Sequence, residues 1–249
     1  MSQDSIFKGI TRNVFILGVV SLFTDIASEM LYPVIPIFLT AVLGAPMPVV
    51  GLIEGIAEST SSVFKVLSGW FSDLIKKRKP FVIAGYSFSS FAKPLLFFAY
   101  SWPAVLFARF LDRTGKGLRT SARDAMIADS TDEAYRGKAF GFHRAMDSIG
   151  ACIGPLLAIW LLFIFKGDLR LIFLIAFIPA AIGVFILIAF LEERAIRKND
   201  KSPVLRFSEI GRFGPDFRNF LLISLVFAVG NSSDAFLRSR SYWRTFFIT

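Results

Sequence analysis

Seven apolar stretches, each long enough to cross a bilayer, limit what this chain can fold into. They cover residues 14–43, 47–73, 81–100, 102–128, 137–165, 170–191 and 217–236. A hydrocarbon core of about 30 Å takes roughly 20 mainly apolar residues as a helix. The short alternating segments of a membrane β-barrel are not seen. Turn chemistry or charge marks the breaks: GAPMP at 44–48, KKRKP at 76–80, SWP at 101–103, STDEAYRGK at 130–138 and KGDLR at 166–170. Apolar residues make up 54% of the chain and charged residues 19%, against about 25% charge in a soluble domain. The expected fold class is an all-α membrane protein.

The net charge of +9 could point to nucleic acid, but Lys and Arg gather in loops between apolar blocks, and that distribution reads as membrane topology. They follow the second, fourth and sixth segments and precede the first, so they occupy alternate loops. A multi-pass protein of the plasma (inner) membrane with a cytoplasmic N-terminus is expected. The first apolar run is too long for a signal peptide and lacks a small-residue cleavage site. Cys152 is the single cysteine, so no disulfide framework can form. The expected organisation is a six-helix bundle over 1–191, a basic cytoplasmic linker over 192–216, a seventh span over 217–236 and a tail over 237–249. The tail carries Arg238, Arg240 and Arg244 where the charge rule expects none. Such a tail is expected where a reading frame has been lost near residue 237; the alternative is a genuine, unusual tail. The first and seventh spans are weakly alike (VVSLFTDIASEM, ISLVFAVGNSSDAFL), as corresponding helices of two repeated halves are.

Charges inside these segments carry the functional signal, because a charge at the bilayer centre costs roughly 2.5–3.5 kcal/mol on the mildest scale. At about 100° per residue, Ser21, Asp25, Ser28, Glu29, Tyr32 and Pro36 share one face of the first span. The prolines in YPVIP should bend its later half. In the fourth span Arg109, Asp112, Arg113, Lys116, Arg119 and Arg123 fall within an arc of about 140°, expected to line a cavity. Gly115 and Gly117 between them suit close helix approach; GKG without a preceding strand is not a phosphate loop. In the second span Glu54, Glu58, Ser61 and Lys65 form a stripe expected to be a buried acid–base contact, and Lys93 in the third allows either role. Arg144 and Asp147 share a face of the fifth span beside His143, the only histidine, which reads more simply as a packing residue than as a proton relay. No metal-ligand cluster and no nucleophile–base pair is evident, so neither an enzyme nor a cofactor is expected.

Three stretches resemble signatures of the major facilitator superfamily. GWFSDLIKKRK (69–79) is similar to its loop between the second and third helices, with Gly69 and Asp73 at matching positions and Lys77, Arg78 and Lys79 supplying the basic end, although Leu74 to Lys76 replace its usual small residue and glycine. RFLDRTGKG (109–117) is similar to the fourth-helix signature, with Arg109 or Arg113 as its arginine. GACIGPLLA (150–158) resembles the fifth-helix signature of the antiporter branch through Gly150, Gly154 and Pro155, with Ala158 in place of a usual glycine. The resemblance covers residues 12–237, the first half of a twelve-helix transporter plus its seventh helix.

The resemblance implies alternating access between two six-helix bundles, and proton-coupled secondary transport of a small solute, most simply efflux. Asp25 and Glu29 would take protons or contact a cation. Arg109, Arg113, Lys116 and Arg123 would bind an anionic group or pair with those acids, with Asp112, Arg144 and Asp147 completing the cavity. Asp73 would belong to a conformational latch. The expected partners are a solute, protons and the lipid bilayer, with no nucleic acid and no metal. A fragment of this kind should be inactive alone, completed by a missing second half or by a second copy in a homodimer.

Overall fold

A computed structural model describes residues 9–193, 214, 216, 217, 219, 220, 222 and 223. The chain divides into two compact units, 1–198 and 199–249. In the second unit residues 216, 217, 219, 220, 222 and 223 are helical. Most of the expected linker, most of the seventh span and all of the tail lie outside the described residues.

The first unit is built from six long helices, with no strand among the described residues. Helix α1 is Arg12–Leu31, prolonged by a turn at Val34–Ile37 and a π-helical turn at Phe38–Val42. The others are α2 (Met47–Ile75), α3 (Lys79–Phe97), α4 (Trp102–Asp129), α5 (Arg136–Ile164) and α6 (Leu169–Phe190). These ends fall within three residues of the first six apolar segments. Pro48, Pro80 and Pro103 each sit at the second helical position, where a missing N–H costs nothing. Asp168 caps α6 by accepting from the backbone N–H of Arg170 at 2.9 Å and of Leu171 at 3.4 Å. The expected bend in α1 falls at Tyr32–Pro33, where the regular helix stops.

Helix α4 packs between α2 and α3, α1 packs between α5 and α6, and α3 joins α6. Around the unit the order is therefore α2, α4, α3, α6, α1, α5. Helices α1 and α4 face each other and touch only lightly. The close pairs depend on glycine. A Cβ at Gly115 would lie 2.5 Å from the Gly85 carbonyl oxygen, and one at Gly154 would lie 2.8 Å from that of Ile26. Such approach suits helices in lipid, where packing rather than the hydrophobic effect drives association.

Two apolar layers close the ends of the unit. One gathers Met30, Phe38, Ile53, Leu96, Ala108 and Phe173; the other, at the end where α1 begins, gathers Leu17, Val82, Tyr86, Met126 and Leu187. The charged residues of α1, α3 and α4 lie between them. Large apolar side chains also face outward, among them Phe91, Phe107, Leu156, Phe163 and Phe185, as a lipid-facing surface requires. By length and composition alone Arg12–Val42, Glu133–Ile164 and Leu169–Phe190 could each cross a membrane. Polar residues interrupt α2, α3 and α4.

Candidate functional site

The middle layer is organised around α4. Toward the helix start, arginine meets carboxylate across helices. Arg109 is 5% exposed and grips Glu54 of α2 with two bonds, Nε to Oε1 at 3.1 Å and a terminal nitrogen to Oε2 at 2.6 Å. Removing one member of such a buried pair typically costs about 3–5 kcal/mol. Arg113 reaches the exposed Glu58 at 2.9 Å. Asp112 accepts a hydrogen bond from Ser89 of α3 and lies 3.8 Å from Lys93, whose ammonium donates to the Ser89 carbonyl at 2.9 Å. Ser28, Lys93, Arg109 and Asp112 line an enclosed cavity of about 10 Å³ between α1, α3 and α4, close to the space one water needs.

The later half of α4 is arranged differently. Lys116 is exposed. Arg119 is 4% exposed, and its guanidinium carbon stands 4.5 Å over the ring of Tyr86 from α3. Arg123 bonds to Asp124, the next residue, at 2.9 and 3.1 Å. From α1, the half-buried Asp25 lies within electrostatic range of Arg119, Asp147, Arg123 and Lys116, yet no ion pair within 4 Å joins it to any of them among the described residues.

Asp25 and Glu29 sit at the seam between α1 and α5, directly over the glycine pair. A Cβ at Gly150 would come within 2.9 Å of the Asp25 Cβ, and one at Gly154 within 2.8 Å of the Glu29 Cβ. Pro155 continues α5 beside them. The buried His143 places Nδ1 3.4 Å from Asp147 Oδ2. Arg144 is exposed and joins no ion pair among the described residues. At the loop between α2 and α3, Arg78 contacts Asp129 at 2.9 Å and Asp73 at 3.5 Å. The Glu193 carboxylate accepts from the backbone N–H groups of Arg78 and Lys79 at 3.0 Å each. Gly69 faces Ser121 of α4, and Lys77 is exposed. Among the described residues no cluster of three His, Cys, Asp or Glu could hold a metal ion.

Several expected groupings are redistributed. Arg109 and Arg113 pair with Glu54 and Glu58 of α2 rather than with Asp25 and Glu29, because α4 packs on α2 and only grazes α1. The α2 stripe is not uniformly buried: Glu54 is, whereas Glu58 and Lys65 are exposed. Sequence reasoning read Glu54 as a buried acid–base contact, left Lys93 open to either role, and placed Arg119 on the cavity-lining arc without giving it a task of its own. Arg119 lay on the charged arc of α4, and that arc was the available signal.

A Major Facilitator Superfamily profile matches residues 17–248. An uncharacterized transporter of this type from Methanocaldococcus jannaschii is 36% identical over 239 residues, covering 94% of this chain and 58% of the relative. Inner membrane transport protein YajR of Escherichia coli is 26% identical, covering 100% of this chain and 56% of the relative. The probable 4-methylmuconolactone transporter of Cupriavidus pinatubonensis is 27% identical, covering 71% and 42% respectively. The solved structure of the human organic anion transporter MFSD10 aligns with a TM-score of 0.62 at 21% identity, over 73% of this chain and 47% of that one. A POT family transporter in complex with 5-aminolevulinic acid aligns with a TM-score of 0.65 at 18% identity, over 88% and 46%. These two structural likenesses bear on the fold alone. The chain spans 58% or less of the length of these relatives. Its multi-pass helical unit, its profile and its relatives agree: the chain belongs to the major facilitator superfamily, a family of membrane transporters.

Proposed function

We propose that this chain forms one six-helix bundle of a proton-coupled secondary transporter that exports a small solute by alternating access. The charged layer carries this reading. Asp25 has Lys116, Arg119, Arg123 and Asp147 within electrostatic range, from the helices α4 and α5, and Glu29 follows it one turn on, over Gly154. Charge in a membrane interior persists where it faces water, protein or cargo. In this reading Asp25 and Glu29 accept the coupling proton, and Lys116, Arg123, Arg144 and Asp147 border the solute path. Arg109, Asp112 and Arg113 hold α4 to its neighbours. Gly69, Asp73, Lys77 and Arg78 make the latch at the membrane face, and Gly150, Gly154 and Pro155 set the α1–α5 contact. The transporter names of the relatives support a small solute as cargo.

The bundle needs a partner to work. Exposed Glu58 and Lys65 stand on α2 beside an open groove of about 600 Å³ lined by Gly51, Leu52, Gly55, Ile56, Ser59 and Val63. Left against lipid, those charges would cost several kcal/mol. A second six-helix bundle would cover them, whether a further segment of the same transporter or a second copy of this chain, so this bundle alone does not transport.

The test is proton movement in liposomes, followed with an internal pH dye under an imposed solute gradient, with the bundle reconstituted alone and with its second bundle. Transport should appear only in the paired sample and should be lost in Asp25→Asn. Proton flux unchanged by both Asp25→Asn and Glu29→Gln would overturn the coupling assignment. Crosslinking in native membranes distinguishes a second copy, which gives a discrete dimer, from a different partner.

A further inference from the structure

The most unusual group in the unit is Arg119. It is 4% exposed, and no carboxylate lies within ion-pair distance among the described residues. One of its terminal nitrogens, Nη1, is buried without a hydrogen-bond partner. The Tyr86 ring beneath it is 1% exposed, and its hydroxyl is likewise buried and unpartnered. Two unsatisfied polar groups therefore share one stack, which is rare for buried atoms. Packing holds the stack in place: a Cβ at Gly85 would fall 2.6 Å from the Arg119 backbone nitrogen and 2.7 Å from its Cβ. The neighbouring helix backbones are thus pressed together where residues 86 and 119 meet.

We propose that Arg119, stacked on Tyr86, is the subsite that holds an oxyanion group of the transported solute, a carboxylate, sulfate or phosphate. The contact with the Tyr86 ring uses none of the guanidinium's N–H groups, Nη1 among them is unpartnered, and an arginine fork matches two oxygens of an oxyanion. The phenol hydroxyl offers a further donor. The other cations of α4 do not offer the same site. Arg109 and Arg113 are occupied by Glu54 and Glu58, Arg123 is bonded to Asp124, and Lys116 is exposed. Asp25 approaches from α1 without closing an ion pair, across a seam where α1 and α4 touch only lightly. An opposite charge held near but not joined leaves the arginine available to a third group. This inference deepens the transporter reading and rests on it for the identity of the ligand as cargo.

The experiment measures binding of sodium sulfate and sodium benzoate to the whole chain in nanodiscs at fixed ionic strength, with benzamide as the neutral control, by calorimetry and by thermal shift. Both anions should bind saturably and benzamide should not. Arg119→Gln should weaken binding at least tenfold, and Tyr86→Phe several-fold. Arg119→Lys, which keeps the charge and loses the fork, should fall between wild type and Arg119→Gln, and Arg136→Gln on the surface should bind as wild type. Should Arg119→Gln not fold, Tyr86→Phe and Arg119→Lys carry the test. Anion binding unaltered in the Arg119 or Tyr86 variants, or an equal response to benzamide, would overturn the subsite. Loss of binding in Arg119→Gln without any transport by the paired bundles would retain the subsite and remove the transporter reading. Transport intact in Arg119→Gln would do the reverse.

Discussion

The two halves of α4 carry the same residue types on the same stripe and treat them differently. In the first half each cation meets a carboxylate from α2: Arg109 meets Glu54 and Arg113 meets Glu58, while Asp112 faces Lys93 of α3. In the second half Arg119 rests on an aromatic ring and Arg123 bonds to its own neighbour Asp124. A charge inside a membrane helix is therefore not in itself a sign of a binding site. What separates a fastening from a candidate site is whether neighbouring helices already supply the counter-charge.

That contrast can be broken most forcefully at Arg109. Arg109→Ala strands a buried Glu54 and should cost about 3–5 kcal/mol. In a thermal melt in detergent that is a Tm drop of roughly 10 °C, at about 2–4 °C per kcal/mol for this size. Pairing it with Glu54→Gln should return much of the loss, and strictly additive losses would show the two residues to be uncoupled. Gly115→Ala forces α3 from α4 and should cost about 1–3 kcal/mol, read in the same melt. Arg113→Gln should cost under about 1 kcal/mol, because its partner Glu58 is exposed rather than buried; a loss as large as that of Arg109→Ala would erase the distinction between the two pairs. Smallest of all is Gly55→Ala, where an added Cβ meets nothing within 4 Å. It should be neutral or raise stability by up to about 1 kcal/mol, and a clear loss would mean that the groove on α2 is already filled.

Helix positions were legible in the sequence because apolar length, proline near helix starts and charged breaks all act locally. The arc on α4 was legible for the same reason, since helical periodicity alone places Arg109 to Arg123 together. Partner choice was not. Glu54 and Arg109 are 55 residues apart, and only the packing of α4 on α2 brings their side chains into register. A helical wheel gives equal weight to Arg113 and Arg119. Their difference depends on what faces them, Glu58 in one case and the Tyr86 ring in the other. The acids of α1 were identified as an inward face, but their seat over Gly150 and Gly154 required the α1–α5 contact.

The bond between Glu54 and Arg109 also sets a problem of timing during synthesis. At about 5–20 residues per second, the ribosome delivers Glu54 roughly 3–11 s before its arginine exists. For that interval α2 holds an uncompensated acid, and it is not among the helices apolar enough to enter lipid by composition alone. Shelter from lipid until α4 emerges would spare α2 the roughly 2.5–3.5 kcal/mol that a lone charge at the bilayer centre costs. The pair thus favours entry of α2 and α4 together over entry one helix at a time.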